Sequence, residues 1–182
     1  DWHHPDFTID GRHPQRPREM ESLSHDEKAA YFDRVNVGKD MAKYRKYMKE
    51  QVTELLTRYG QIDLLWYDFT YADDEFGKSP ADWDSEGLLT LTRRLQPGII
   101  VNNRLGLYHE TWSWDFITPE QFGVTSRPML DGRKVAWETC QTFSGSWGYF
   151  RDEDTWKTSR QLLELLIRAV SYDGNLIMNV GH

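Results

Sequence analysis

The chain reads as an α/β protein built like a (β/α)8-type, TIM-like barrel, and three observations predict this. Helical and strand-like stretches alternate in the order helix, strand, helix, strand, strand, helix, strand, a pattern that calls for a parallel sheet. The stretches after the strands, 69–82, 103–134 and 139–155, are long, whereas the connections after the first two long helices are short. The segment Ile62-Asp63-Leu64-Leu65-Trp66-Tyr67 ends on a lone carboxylate, Asp68. Barrel enzymes carry their working groups in this way, on loops at the C-terminal tips of buried strands.

Residues 7–25 hold a glycine, two prolines and several charges and read as a loop. From Asp26 to Tyr59 the pattern is helical, with Met41, Tyr44, Met48, Val52, Leu55 and Leu56 at helical spacing and Gly60 as a C-terminal cap. A strand is expected over 62–67 and a helix from Trp83 to Leu95, stopped by Pro97-Gly98. A second strand runs from Ile99 to Asn102. The stretch 103–134 has weak periodicity but five aromatics, which argues for an ordered functional loop. A short third strand is expected from Val135 to Glu138. A third helix, Trp156 to Ser171, carries Leu162, Leu163, Leu166 and Val170 on one face and ends at Asp173-Gly174. The last strand is 175–180.

Composition narrows the function. The 182 residues suffice for one domain with a real core. A net charge of −7 argues against a nucleic-acid partner. No apolar run reaches membrane-spanning length, so no membrane partner is expected. The single cysteine, Cys140, cannot form an internal disulfide. Eight Trp, nine Tyr and eight Phe make an aromatic content of 14 %, which suits packing and also the stacking of sugar rings. Both ends read as cut through structure, so a piece of a longer protein is expected.

Five groups of residues could carry chemistry. Asp68 is either a cap or turn acid, or a nucleophile or general base at a strand tip; period-two alternation sets Trp66 on its side. Arg104 in Asn102-Asn103-Arg104 is either a surface charge or a fork of donors for a carboxylate or a pair of hydroxyls. Glu120 has an ordinary reading in the first turn of a helix begun by Thr118 and Pro119. Its other reading is a second carboxylate among aromatics, as a general acid requires. Trp137 reads as core or as ligand contact, and Ser146-Trp147-Gly148-Tyr149 as a binding loop. His3 and His4 would diverge on an extended chain and lack spaced partners, so no metal is expected. A P-loop, a dinucleotide turn and a nucleophile elbow are all lacking, so no cofactor is expected.

Two carboxylates on loops at barrel tips are the tools of glycoside hydrolysis. The stretches DWHHPDF at 1–7, YGQIDLLWYDF at 59–69, LQPGIIVNNRLG at 95–106 and WDFITPEQ at 114–121 extend that reading. So do 137–159 and 162–181. In this order they resemble the retaining α-L-fucosidases, glycoside hydrolase family 29, over most of the chain. The resemblance implies that residues 1–182 are part of a catalytic barrel domain, its C-terminal half. Earlier barrel strands and a β-sandwich would lie outside the chain. It implies a fucosylated oligosaccharide or glycoconjugate as substrate, and a secreted, periplasmic or lysosomal parent. Asp68 matches the nucleophile and Glu120 the acid/base of some members. Trp66 and Arg104 match the lining of the fucose pocket, and Trp147 an aromatic near the sugar's C5 methyl. Asp1, Trp2, His3 and His4 are placed near the pocket. Attack requires an ionised carboxylate, so a cation is expected beside Asp68, and Arg104 is the candidate. Retention requires the Asp68 and Glu120 carboxyls about 5–5.5 Å apart. Two other readings stand: a retaining glycosidase of different specificity, and an inactive carbohydrate-binding fragment.

Overall fold

The computed structural model describes residues 3–72, 74–108 and 112–181. The expectation for Asp1 and Trp2 lies outside them. The chain divides into two compact units, Asp1–Ile100 with Arg104–Ser113, and Val101–Asn103 with Trp114–His182. No helix among the described residues is long and apolar enough to cross a membrane.

In the first unit the helix expected from Asp26 to Tyr59 is two helices, α1 (His25–Val35) and α2 (Met41–Arg58). Ser24 and Glu27 form a reciprocal capping box at the start of α1. Asn36 then stops α1: its Oδ1 accepts from the N–H of Ile9 at 2.7 Å and its Nδ2 donates to the Ile9 carbonyl at 2.8 Å. Asp40 restarts the chain as N-cap of α2, accepting from the Ala42 N–H at 2.9 Å. The continuous apolar spacing hides this break, because polar caps rather than apolar positions cause it. Tyr44 of α2 packs with Phe7 and Trp83 in one core cluster. Gly60 adopts the left-handed conformation expected of a cap, φ 82°.

Gln96 ties the next elements together. Its Oε1 accepts from Ile62 N–H at 2.8 Å, while its Nε2 donates to the carbonyls of Leu56 and Gly60 at 2.8 and 2.9 Å. This brings the end of α2 to the start of β1 (Leu64–Leu65). The expected helix Trp83–Leu95 is likewise two, α3 (Pro80–Trp83) and α4 (Ser85–Leu95). Asp84 separates them at φ 53° and caps α4 through the Gly87 N–H. The strand β2 (Ile100–Val101) pairs with β1, Ile100 donating to the Asp63 carbonyl at 2.9 Å. Both strands are shorter than the apolar runs that mark them.

The second unit holds parallel neighbours in chain order. Asn102 bridges Phe116, Ile117 bridges Trp137 and Glu120 bridges Cys140, all in parallel. The stretch 103–134 contains a hairpin that sequence reasoning missed, β3 (Met129–Leu130) against β4 (Arg133–Lys134). Its turn residues Asp131 and Gly132 both have positive φ, 48° and 74°, and Asp-Gly is the dipeptide that such a tight turn favours. The expected strand 135–138 shifts to β5 (Glu138–Thr142), which pairs in parallel with β6 (Asn175–Asn179). The sequence Thr-Cys-Gln-Thr at 139–142 looks like a loop because it is polar. All four residues are nevertheless buried, and Gln141 finds the Phe122 carbonyl and the Thr139 hydroxyl at 3.2 and 3.0 Å. Buried polar groups with internal partners do not produce an apolar run.

Thr158 and Gln161 box the start of α5 (Ser159–Ser171), three residues after the expected start at Trp156. Leu163, Leu166 and Val170 of its apolar face are exposed. Trp137 is core: it is 2 % exposed, clusters with Val124 and Ala169, and donates its indole N–H to the Tyr172 carbonyl at 3.1 Å. Gly174 is what admits that ring. A Cβ there would lie 2.7 Å from Trp137 Cδ2 and closer still to Cε2 and Cζ2. Gly174→Ala is therefore expected to lower stability by about 1–3 kcal/mol, the usual cost of overpacking a core, as measured by denaturant unfolding. An unchanged midpoint would show that the ring has room to retreat.

Candidate active site

Asp68 follows β1 and leaves it abruptly. The next residue, Phe69, has φ 77°, a conformation that costs an aromatic residue about 1–3 kcal/mol and persists where its surroundings impose it. The Phe69 N–H thereby donates to Asp68 Oδ1 at 2.9 Å. On the other side, Tyr67 is anchored to α4, its hydroxyl 2.6 Å from Thr92 Oγ1. Burial pushes the Tyr67 phenol up to about 12, against the opposing effect of its hydrogen bond with Thr92. The carboxylate is thus held between a buried anchor and a strained turn.

Arg104 completes the group. It sits in the 3-10 turn Asn103–Leu105 after β2, where Leu105 is 4 % exposed and fixes the turn. Arg104 Nη1 donates to Asp68 Oδ1 at 2.9 Å. Its guanidinium carbon stands 4.5 Å from the centre of the Trp66 ring. Trp66, Asp68 and Arg104, far apart or alternating in sequence, therefore meet in one place. The arginine balances the carboxylate's charge and stacks on the indole, contacts a lysine would not reproduce. The Asp68 side chain remains 38 % exposed, so a substrate has access to it.

Beside this group lies a cavity of about 230 Å³. Asp68, Phe69 and Thr70 line it together with Phe7, Tyr44, Met48, Trp83 and Leu88. Phe7, Phe69 and Tyr44 are site-lining residues that sequence reasoning did not single out. Tyr44 reads only as a core position of a helix, and nothing in the sequence marks a left-handed phenylalanine. The buried indole N–H of Trp83 has no hydrogen-bond partner within the fold.

His4 packs between Tyr44 and Tyr47, ring centres 5.3 and 4.7 Å apart, and its Nδ1 accepts from the Asp6 N–H at 3.2 Å. It thus touches the wall of the cavity through Tyr44. His3 points elsewhere, its Nδ1 3.5 Å from Gln15 Nε2. Among the described residues no three His, Cys, Asp or Glu side chains group to hold a metal ion.

Glu120 and Trp147 belong to the second unit. The ordinary reading of Glu120 is overturned, because no helix begins there. Thr118 directs both its N–H and its hydroxyl to Asn103 Oδ1, at 3.1 and 3.2 Å, instead of capping a helix. Glu120 pairs with Cys140 of β5, and the Gln121 N–H donates to the Cys140 carbonyl at 2.9 Å. Gln121 then turns the chain at φ 48°. The Glu120 side chain is exposed at this turn.

Trp147 lies on the loop after β5 and is 44 % exposed. Asn179 Nδ2 donates to its carbonyl at 2.6 Å. Glu153 braces the same loop. Its Oε1 accepts from the Thr155 N–H at 2.8 Å and from the Thr155 hydroxyl at 2.5 Å, and that hydroxyl accepts from Gly145 N–H at 2.7 Å. These donors, with Ser146 and Ser144, hold the Glu153 carboxyl down at about 2. The loop is therefore a braced structure rather than a slack connection.

A family model described as alpha-L-fucosidase matches residues 1–182. Alpha-L-fucosidase isoenzyme 1 from Paenibacillus thiaminolyticus is similar in structure, with a TM-score of 0.75 and 34 % identity over 100 % of this chain and 41 % of that one. Plasma alpha-L-fucosidase of Homo sapiens is 30 % identical over 139 residues, 72 % of this chain and 27 % of its own length. A mutant of alpha-L-fucosidase AlfC, solved in complex with a 4-nitrophenyl-α-L-fucopyranoside substrate, has a TM-score of 0.55 and 25 % identity over 82 % of this chain and 39 % of that one. The chain thus spans well under half the length of these relatives. The full-length match of the family model leaves one conclusion: the chain belongs to the alpha-L-fucosidase family.

Proposed function

We propose that the protein carrying this chain hydrolyses α-L-fucosides with retention of anomeric configuration, and that the chain supplies the C-terminal half of its (β/α)8 barrel. The meeting of Asp68, Arg104 and Trp66 carries the reading. It offers a charge-balanced, accessible carboxylate beside a flat ring, next to a cavity. The parallel neighbours in chain order support the barrel.

Asp68 is the nucleophile. One of its carboxylate oxygens attacks the anomeric carbon, the glycosidic C–O bond breaks, and a fucosyl ester forms. Glu120 is the acid/base: it gives its proton to the departing oxygen. Its carboxylate then takes a proton from water, whose oxygen displaces Asp68 and frees the sugar. Trp66 and His4 contact the fucose on the side of Asp68, Trp147 meets its C5 methyl, and Arg104 holds Asp68 in position; His3, turned toward Gln15, takes no part. The chemistry requires the Asp68 and Glu120 carboxyls to stand about 5–5.5 Å apart when substrate is bound.

The test is to incubate the full-length protein with nitrophenyl α-L-fucoside, β-D-galactoside and β-D-glucoside and to follow the first-formed anomer by NMR. Release from the fucoside with α-fucose appearing first is expected. β-Fucose first, or a preference for another glycoside, would overturn the proposal.

A further inference from the structure

A general acid touches the oxygen that leaves, so the sugar bearing the fucose must lie on the side of that acid. In the second unit, Glu120 pairs with Cys140, and the loop that follows the end of β5 at Thr142 is wired to the same segment. Gln121 Nε2 donates to the Thr142 hydroxyl at 2.9 Å, and that hydroxyl donates to the Ser144 carbonyl.

This loop carries large aromatic rings that the fold leaves open. Tyr149 is 70 %, Phe150 56 % and Trp156 53 % exposed. Glu153 ties both of the last two to its own backbone: its N–H donates to the Phe150 carbonyl at 3.3 Å, and the Trp156 indole N–H donates to the Glu153 carbonyl at 3.1 Å. The carboxylate of the same Glu153 fastens Thr155, as described above. The Trp156 ring is therefore held, and the backbone that carries Phe150 fixed, before any ligand arrives, which lowers the ordering cost of binding. Charged side chains, Arg151, Asp152 and Asp154, stand between them in sequence. Open rings set among hydrogen-bonding groups match a pyranose, with its C–H face and its rim of hydroxyls, better than an apolar protein surface.

We propose that Phe150 and Trp156, with Tyr149 beside them, form a stacking platform for the saccharide from which fucose is cleaved. The platform rests on the assignment of Glu120 as the acid. It would make the loop the determinant of which glycan the enzyme accepts, separate from recognition of the fucose itself.

The experiment compares two substrates in the full-length protein: a fucosylated N-acetylglucosamine disaccharide, and α-L-fucosyl fluoride, which has no leaving sugar. Phe150→Ala and Trp156→Ala are expected to lower kcat/KM on the disaccharide about tenfold, the effect of one well-placed contact residue, mainly through KM. Activity on the fluoride should stay within about twofold, and Trp156→Phe should restore most of the loss. Equal loss on both substrates, or none on either, would overturn the platform, as would a change of oligomeric state with no selective loss. If the unaltered protein cleaves neither substrate, the hydrolytic reading fails by itself. Calorimetric titration with the fucose-free disaccharide of N-acetylglucosamine then decides the platform: binding that Trp156→Ala abolishes sustains it, and no binding ends it.

Discussion

Replacing Asp68 by Ala in the full-length protein is expected to reduce fucoside hydrolysis by about 10³-fold or more, the scale on which loss of a nucleophile is felt. Folding should be nearly unaffected. The Asp68–Arg104 pair is part exposed, with side chains 38 % and 16 % accessible. Exposed pairs contribute only about 0–1 kcal/mol, and Arg104 keeps its stacking on Trp66. A second measurement separates lost chemistry from lost structure. Azide should fit the volume vacated by the carboxylate and attack in its place, restoring turnover with an inverted fucosyl azide as product. Activity retained without azide would remove Asp68 from its role. Loss of activity with a collapsed melting temperature would mean that Asp68 holds the fold instead.

The second large effect is expected at Lys78, whose consequences are for stability. Lys78 is 4 % exposed. Its ammonium pairs with Asp10, donates to the Thr8 carbonyl at 2.7 Å and stands 4.2 Å from the centre of the Phe7 ring. Burial pushes the Lys78 ammonium below the usual lysine range, and the hydrogen bond to Asp10 works against that shift. Breaking such a pair by removing one partner leaves a buried charge alone and costs about 3–5 kcal/mol. Lys78→Met should therefore unfold at much lower denaturant concentration. Adding Asp10→Asn should recover most of the loss, because the orphaned charge is gone. If the single and double variants are equally unstable, packing around Phe7 rather than charge is the cause. Phe7 and Trp83 line the cavity beside Asp68, so the single variant should also weaken substrate binding.

Sequence reading located several structural signals correctly. The alternation of elements is visible in apolar periodicity, because burial on one face leaves a repeat. Gly60 announces the end of α2, since only a residue without Cβ takes φ 82° freely. Asp68 and Arg104 could be named because each follows the end of an apolar run, and Trp66 because period-two alternation sets it on the side of Asp68. Other features were hidden. The breaks at Asn36 and Asp84 depend on side chains that cap or clamp distant backbone. β5 is polar in sequence, and its polar groups are satisfied only inside the fold. Thr118-Pro119-Glu120 has the pattern of a helix start, yet Asn103 and Cys140 claim its backbone and hydroxyl groups. A local motif lost to a long-range partner.

By itself, then, the sequence determined the α/β class and, through the ordered run of its motifs, the family. Those follow from residue type and order along the chain. The sequence offered Arg104 as the cation beside Asp68; tertiary structure supplied the contact across 36 positions and alone decided that the guanidinium also stacks on Trp66. It also decided that Phe69 takes a strained turn to direct its N–H at the carboxylate, and that Glu153 braces the aromatic loop after β5. The physical reason is common to all three. Periodicity records which side of an element is buried, whereas hydrogen bonds and ring contacts between distant residues exist only once the chain has closed on itself.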